Sequence, residues 1–201
     1  MNDFRLTKRC ILSIELQILT GIHIGGSKEI YGIGGIDNPV IKNPLSGEPI
    51  IPGSSLKGKL RSLLELTGNS MTNLLFGFRE HCDTDSKAPT RVIFRDLELS
   101  RESAELLQQT LGYGIFTEAK AENSIDTRTG RASNPRFSER VPAGVAFVGE
   151  IIINAYNDED LSPMVNVMKQ SFEFLKANYL GGSGTRGYGK VEVKVIQESV
   201  I

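Results

Sequence analysis

Three features of this chain could do chemistry, and the first is an acid. Asp37 sits in Gly34-Gly35-Ile36-Asp37-Asn38-Pro39. A carboxylate on such a loop can act as a base toward a ribose 2′-OH, or hold a Mg²⁺ ion that neutralises a phosphate where the chain breaks. The bland reading is a turn: Asp before Asn-Pro commonly bonds its own backbone. The second feature is His23 in Gly21-Ile22-His23-Ile24-Gly25-Gly26. It can serve as a general base, as a donor to RNA, or as a satisfied structural group at a strand end, and the last two rank above catalysis. The third is a pairing of glycine with cations, in Gly53-Ser54-Ser55-Leu56-Lys57-Gly58-Lys59 and in Gly181-Gly182-Ser183-Gly184-Thr185-Arg186-Gly187-Tyr188-Gly189. Glycine lets the backbone approach a polyanion closely, and lysine and arginine supply the countercharge. Glycine clusters also simply build tight turns.

Two tempting motifs fail. Gly58-Lys59 is followed by Leu60 and lacks the spacing of a nucleotide-binding P-loop. His81-Cys82 with Asp83 and Asp85 has neighbouring ligands that rarely chelate one metal, and no second Cys or His pair follows. The only cysteines, Cys10 and Cys82, belong to no Cys-x-x-Cys motif and suggest a reducing cytoplasm.

The elements that must position these residues follow from periodicity. Cys10 to Leu19 reads as a half-buried strand, and the glycine-rich stretch after it as a long inserted loop, about 21–50. Pro52-Gly53-Ser54-Ser55 starts a helix whose Leu56, Leu60, Leu63 and Leu64 share one face and which ends near Gly68. Phe78 to Thr90 is polar and expected to be exposed; Val92 to Leu99 has strand composition. Residues 117–142 are polar and flanked by strand-like sequence, which predicts a projecting arm. Val145 to Tyr156 reads as a buried strand. Leu161, Met164, Val165, Met168, Phe172 and Leu175 form a helical stripe that Gly181-Gly182 should close, and Lys190 to Ile196 alternates as a last strand. The order matches a ferredoxin-like β-α-β-β-α-β unit, an α+β fold in one domain spanning 1–201. The fold alone decides no function.

The chain has 201 residues, enough for one sizeable core, and a net charge of −1, which at first argues against a nucleic-acid partner. The cations are nevertheless clustered, in Lys57, Lys59, Arg61 and in Arg128, Arg131, Arg136, Arg140, so a neutral chain can still carry a basic groove. The sequence has no run of about 18 apolar residues, which argues against a membrane role.

Four strings carry a resemblance: T-G-I-H-I-G-G at Thr20 to Gly26, I-D-N-P-V-I-K-N-P at Ile36 to Pro44, I-P-G-S-S-L-K-G-K-L-R at Ile51 to Arg61, and Y-L-G-G-S-G-T-R-G-Y-G-K-V at Tyr179 to Val191. With T-E-x-K-x-E-N-x-I-D at Thr117 to Asp126 and Asn134-Pro135-Arg136, the chain resembles the backbone RAMP subunits of type III-A (Csm-type) CRISPR complexes. It departs from them in being short between Phe76 and Val92. The resemblance implies an RRM-like core, further copies stacked along a CRISPR guide RNA, other subunits of a type III effector complex, and a thumb hairpin that interrupts the duplex with complementary target RNA. It implies that Asp37 is the residue needed for metal-dependent endoribonuclease cleavage of that target, with Mg²⁺ or another divalent cation. His23, Lys57, Lys59, Arg61 and Arg186 match positions that bind guide RNA, and Arg128, Arg136 and Arg140 are further thumb contacts. Two alternatives remain beside this reading: a purely architectural RNA-binding subunit without nuclease activity, and a monomeric RAMP enzyme that processes the precursor guide with His23 as base.

Overall fold

The computed structural model describes residues 4–26, 38–78 and 88–201. Expectations for Asp37 and for the His81-Cys82 pair lie outside the described residues. The strands are β1 (Leu6–Ile18), β2 (Ile50–Ile51), β3 (Val92–Phe94), β4 (Leu97–Leu99), β5 (Glu118–Ile125), β6 (Ala132–Arg140), β7 (Ala146–Tyr156) and β8 (Val191–Val200). The helices are α1 (Gly53–Leu66), α2 (Thr72–Phe76), α3 (Arg101–Leu111) and α4 (Leu161–Lys176).

Alternation builds the central strand. In β1, Cys10, Leu12, Ile14, Leu16 and Ile18 are fully buried, while Ile11, Ser13, Glu15 and Gln17 between them are half-buried on the opposite face. β1 pairs antiparallel with β7 on one side and β8 on the other, and the far edge of β7 takes β3 and β4, with β2 beyond β4. Counting β3 and β4 as one interrupted strand, the four main strands lie in the order fourth, first, third, second, with α1 and α4 as the two crossovers. This is the connectivity expected for the α+β ferredoxin-like unit. The two crossover helices touch each other, and α4 also touches β1, β7 and β8. Leu56, Leu60, Leu63 and Leu64 of α1 meet Met164, Met168, Phe172 and Leu175 of α4 in the main core over the sheet.

The structure differs from the sequence reading in four places. β1 begins at Leu6, four residues before the expected start, because Arg9 finds a cross-strand partner: its Nε donates to Asn154 Oδ1 at 2.8 Å. The run Val92 to Leu99 breaks into β3 and β4 at Arg95-Asp96, where the Asp96 carboxylate leaves the ladder to accept the Gly53 N–H at 2.7 Å. That bond caps α1, whose own N-cap, Pro52, has no side-chain oxygen to offer. Helix α3 was not anticipated; Ser100 caps it by accepting the Ser103 N–H, and Ala104 and Leu107 are its buried residues. Finally, α4 ends at Lys176 with Ala177 as cap, so Gly181-Gly182 closes no helix and belongs to the turn that follows.

The arm at 117–142 is the antiparallel hairpin β5–β6, a separate two-stranded sheet. Among the described residues no helix is long and apolar enough to cross a membrane.

Candidate nucleic-acid interface and cleavage site

The flanks of the Asp37 segment are tied down on both sides. Gly26 N–H donates to Pro39 O at 3.0 Å and Ile41 N–H to Ile24 O at 2.9 Å, so the chain before and after residues 27–37 forms a short ladder. Asn38, covalently next to Asp37, bridges Ser138 in parallel, and its carbonyl accepts the Glu139 N–H at 3.0 Å. Asn38 is therefore fastened to the base of the hairpin.

Glu139 organises that junction. Its side chain is 5% exposed and accepts three hydrogen bonds: Val40 N–H at 2.8 Å, Lys42 Nζ at 2.5 Å and Thr117 Oγ1 at 2.5 Å. Burial pushes its carboxyl up, but the bonds from Lys42, Thr117 and Val40 and the charge of Lys42 outweigh that and hold it below the ordinary glutamate range. Folding therefore favours the ionised form. Its stabilisation is complete above the unfolded-chain value and is lost as the pH falls below about 4.3 and through the lower folded value. Glu139→Gln should melt at lower temperature than wild type at pH 7, with the gap narrowing on acidification; thermal melts across this window check it, and a gap that persists in acid contradicts the assignment.

His23 lies on the same junction. Its Nδ1 is 2.7 Å from the Glu139 carbonyl oxygen, which makes Nδ1 the protonated donor and leaves Nε2 as the other ring position. Its own carbonyl accepts the Gly182 N–H at 2.8 Å. Gly181, at φ +84°, approaches so closely that a β-carbon there would sit 2.4 Å from the His23 oxygen. The histidine thus ties the C-terminal glycine turn to the hairpin base.

The three cations of α1 do not form one cluster. At 100° per residue Lys57 and Arg61 share one flank of the leucine stripe, and Lys59 lies on the other. Arg61 Nε bonds Glu65 at 2.9 Å and its Nη2 donates to the Gly77 carbonyl at the end of α2 at 3.1 Å. It holds α2 to α1. Lys59 Nζ stands 3.8 Å from the centre of the Tyr179 ring, and burial lowers its pKa. Lys57 is half-exposed and, among the described residues, has no hydrogen-bond or ion-pair partner.

The hairpin cations divide similarly. Arg128 lies exposed at the tip, where the Asp126 carboxylate accepts the Arg128 and Thr129 N–H groups and shapes the turn. Arg136 reaches Glu122 at 3.2 Å and Arg140 reaches Glu118 at 2.6 Å, each across the ladder. Arg186, on the 3-10 turn Gly184–Arg186 after α4, lies 3.7 Å from the same Glu122, and Tyr188, 2% exposed, donates its hydroxyl to that carboxylate at 2.9 Å. His23, Arg140 and Arg186 are thus brought together at the hairpin base, and Arg136 joins them through Glu122; Arg128 and the α1 cations stand apart.

Sequence reasoning missed Glu139, Glu122 and Tyr188. The glutamates sit in a polar arm where nothing local separates a buried carboxylate from a solvated one. As for metal, the described residues contain no group of three or more His, Cys, Asp or Glu side chains.

A ferredoxin-like sheet, a hairpin arm and a glycine turn that meets the arm at its base define a RAMP-type protein. The RAMP superfamily profile matches residues 15–192, and this chain belongs to that family. Among its relatives, "CRISPR system Cms endoribonuclease Csm3" of Methanothermobacter thermautotrophicus is 39% identical over 215 residues, covering 96% of this chain and 86% of the relative. The protein of the same name from Streptococcus thermophilus is 40% identical over 202 residues, covering 94% and 89%. In a crystal structure of a Csm3–Csm4 subcomplex of the type III-A CRISPR-Cas interference complex, a chain 27% identical matches with a TM-score of 0.59, over 98% of this chain and 80% of that one.

Proposed function

We propose that this chain is a guide-RNA-binding backbone subunit of a type III-A CRISPR effector complex, repeated along the guide, and that it cleaves complementary target RNA with Asp37. The observation that carries this reading is the bonding of Asn38 to Ser138 and Glu139, which fastens the residue that follows Asp37 to the hairpin base. The relatives named as Csm3 endoribonucleases support the activity, and the solved Csm3–Csm4 subcomplex supports assembly with other subunits.

The chemistry follows from where the hairpin stands. A two-stranded arm pushed between successive base steps leaves one ribose rotated so that its 2′-OH lines up with the adjacent phosphorus. The Asp37 carboxylate takes the 2′-OH proton, the 2′-oxygen bonds to phosphorus, the P–O5′ bond breaks, and the departing oxygen takes a proton from water. Asp37 would also hold the Mg²⁺ or other divalent cation, which stabilises negative charge at the phosphate. Base pairing with the guide reads the sequence, so the protein needs only backbone contacts. Lys57 and Arg128 are the cations best placed for them, with His23, Arg136, Arg140 and Arg186 around the hairpin base and Lys59 beside Tyr179; Arg61 contributes by holding α1 and α2 in place.

Incubation of the assembled complex with complementary RNA and Mg²⁺ should give products at regular spacing, with 2′,3′-cyclic phosphate ends. Intact binding without cutting would leave the purely architectural subunit.

A further inference from the structure

The cations at the hairpin base are already occupied. Glu122 is 14% exposed and receives Arg136 at 3.2 Å, Arg186 at 3.7 Å, Lys120 at 3.9 Å and the Tyr188 hydroxyl at 2.9 Å. These donors come from two elements, the hairpin and the C-terminal glycine turn, and converge on one anionic group. Four residues back along β5 on the same face, Glu118 holds Arg140. Arg140 and Lys120 in turn flank the Tyr188 ring, 5.2 and 4.5 Å from its centre. Two guanidinium groups, an ammonium and a hydroxyl aimed at a tetrahedral oxyanion would make the same array.

We infer that Lys120, Arg136, Arg186 and Tyr188 form a phosphodiester subsite whose resident anion, in the RNA-free chain, is the Glu122 carboxylate. The inference rests on the RNA-binding reading above and adds a step to it. Incoming RNA exchanges a phosphate for Glu122, and the strand itself then takes over the link between the hairpin and the glycine turn. Such an exchange explains how an RNA binder can carry a net charge of −1: its cations are neutralised internally until a polyanion competes for them.

The exchange has a thermodynamic signature. Where a phosphate displaces a fixed carboxylate, the cation shed by the phosphate is balanced by one taken up by the freed carboxylate; where it meets an arginine with no carboxylate partner, that cation is released outright. Glu122→Gln should therefore bind a polyuridylate oligonucleotide about five- to tenfold tighter near 50 mM salt. The slope of log affinity against log salt should steepen by ~0.7, the value for the one phosphate that the subsite takes. Glu118→Gln, which removes one carboxylate and frees Arg140, should steepen it by a similar amount. Glu198→Gln removes the same charge from a distant pair with Lys169 and should leave the slope unchanged. The full-length chain is titrated in each case. Weaker binding by Glu122→Gln, a slope equal to wild type, or an equal change in Glu198→Gln overturns the subsite. A wild-type chain without salt-dependent RNA binding overturns instead the function proposed above.

Discussion

Asp37→Ala should leave the assembled complex able to bind complementary RNA and reduce its cleavage by about 10²- to 10⁴-fold, the range lost when a positioned acid–base group is removed. The size of the loss follows from the lack of a free substitute at the Asn38 junction among the described residues. Glu139 stands beside Asn38, whose carbonyl takes its N–H, and its carboxylate oxygens are spent on Val40, Lys42 and Thr117. Glu118 and Glu122 are likewise engaged with arginines on the other face of the hairpin. Asp37→Asn separates catalysis from turn formation, because an asparagine side chain still bonds a neighbouring backbone N–H but neither takes the proton nor attracts the cation. Cleavage of labelled target RNA should therefore be lost in Asp37→Asn as well, at unchanged melting temperature. Cutting retained by the asparagine variant would return Asp37 to the turn-former reading.

How much of this was legible depends on the range of the interaction. The buried row Leu12, Ile14, Leu16 of β1 and the stripes of α1 and α4 are written at spacings of two, three and four, and the structure places them as read. Helix α3 carried its signals, Ser100 at the cap, Glu102 in the first turn and Gly112 beyond the end, but only Ala104 and Leu107 among its apolar residues are buried, too few to stand out as a stripe. The junction at Glu139 was illegible for a different reason. Its hydrogen bond to the Val40 N–H joins residues 99 positions apart, and that to His23 spans 116. No local pattern encodes such a bond; only the sheet order, which places β7 beside β1 and carries the hairpin base to the loop, brings them together. The α1 cations teach the converse. Lys57, Lys59 and Arg61 read as one basic patch in sequence, yet 100° of rotation per residue sends Lys59 to Tyr179 and Arg61 to Glu65.

Gly189→Ala should cost about 3 kcal/mol or more, lowering the melting temperature by roughly 6–12 °C for a chain of this size. Two independent penalties meet there. Gly189 has φ +70°, which an L side chain rarely adopts, and a β-carbon would lie 2.0 Å from the Leu180 carbonyl oxygen. Backbone on both sides prevents relief, since Leu180 N–H donates to Gly189 O at 2.9 Å and Gly189 N–H to Gly21 O at 3.1 Å. The damage should not stay local. The turn between residues 180 and 189 carries Arg186 and Tyr188 to Glu122 and receives the His23 carbonyl through Gly182, so the variant should also lose RNA affinity. Gly58→Ala is the matched counterpart: inside α1, with nothing within 4 Å of the added carbon, it should raise stability by about 0.5–1 kcal/mol. Thermal melts of the two variants side by side test the account, and a Gly189→Ala chain that melts with wild type would mean that the glycine turn is not the brace between core and hairpin.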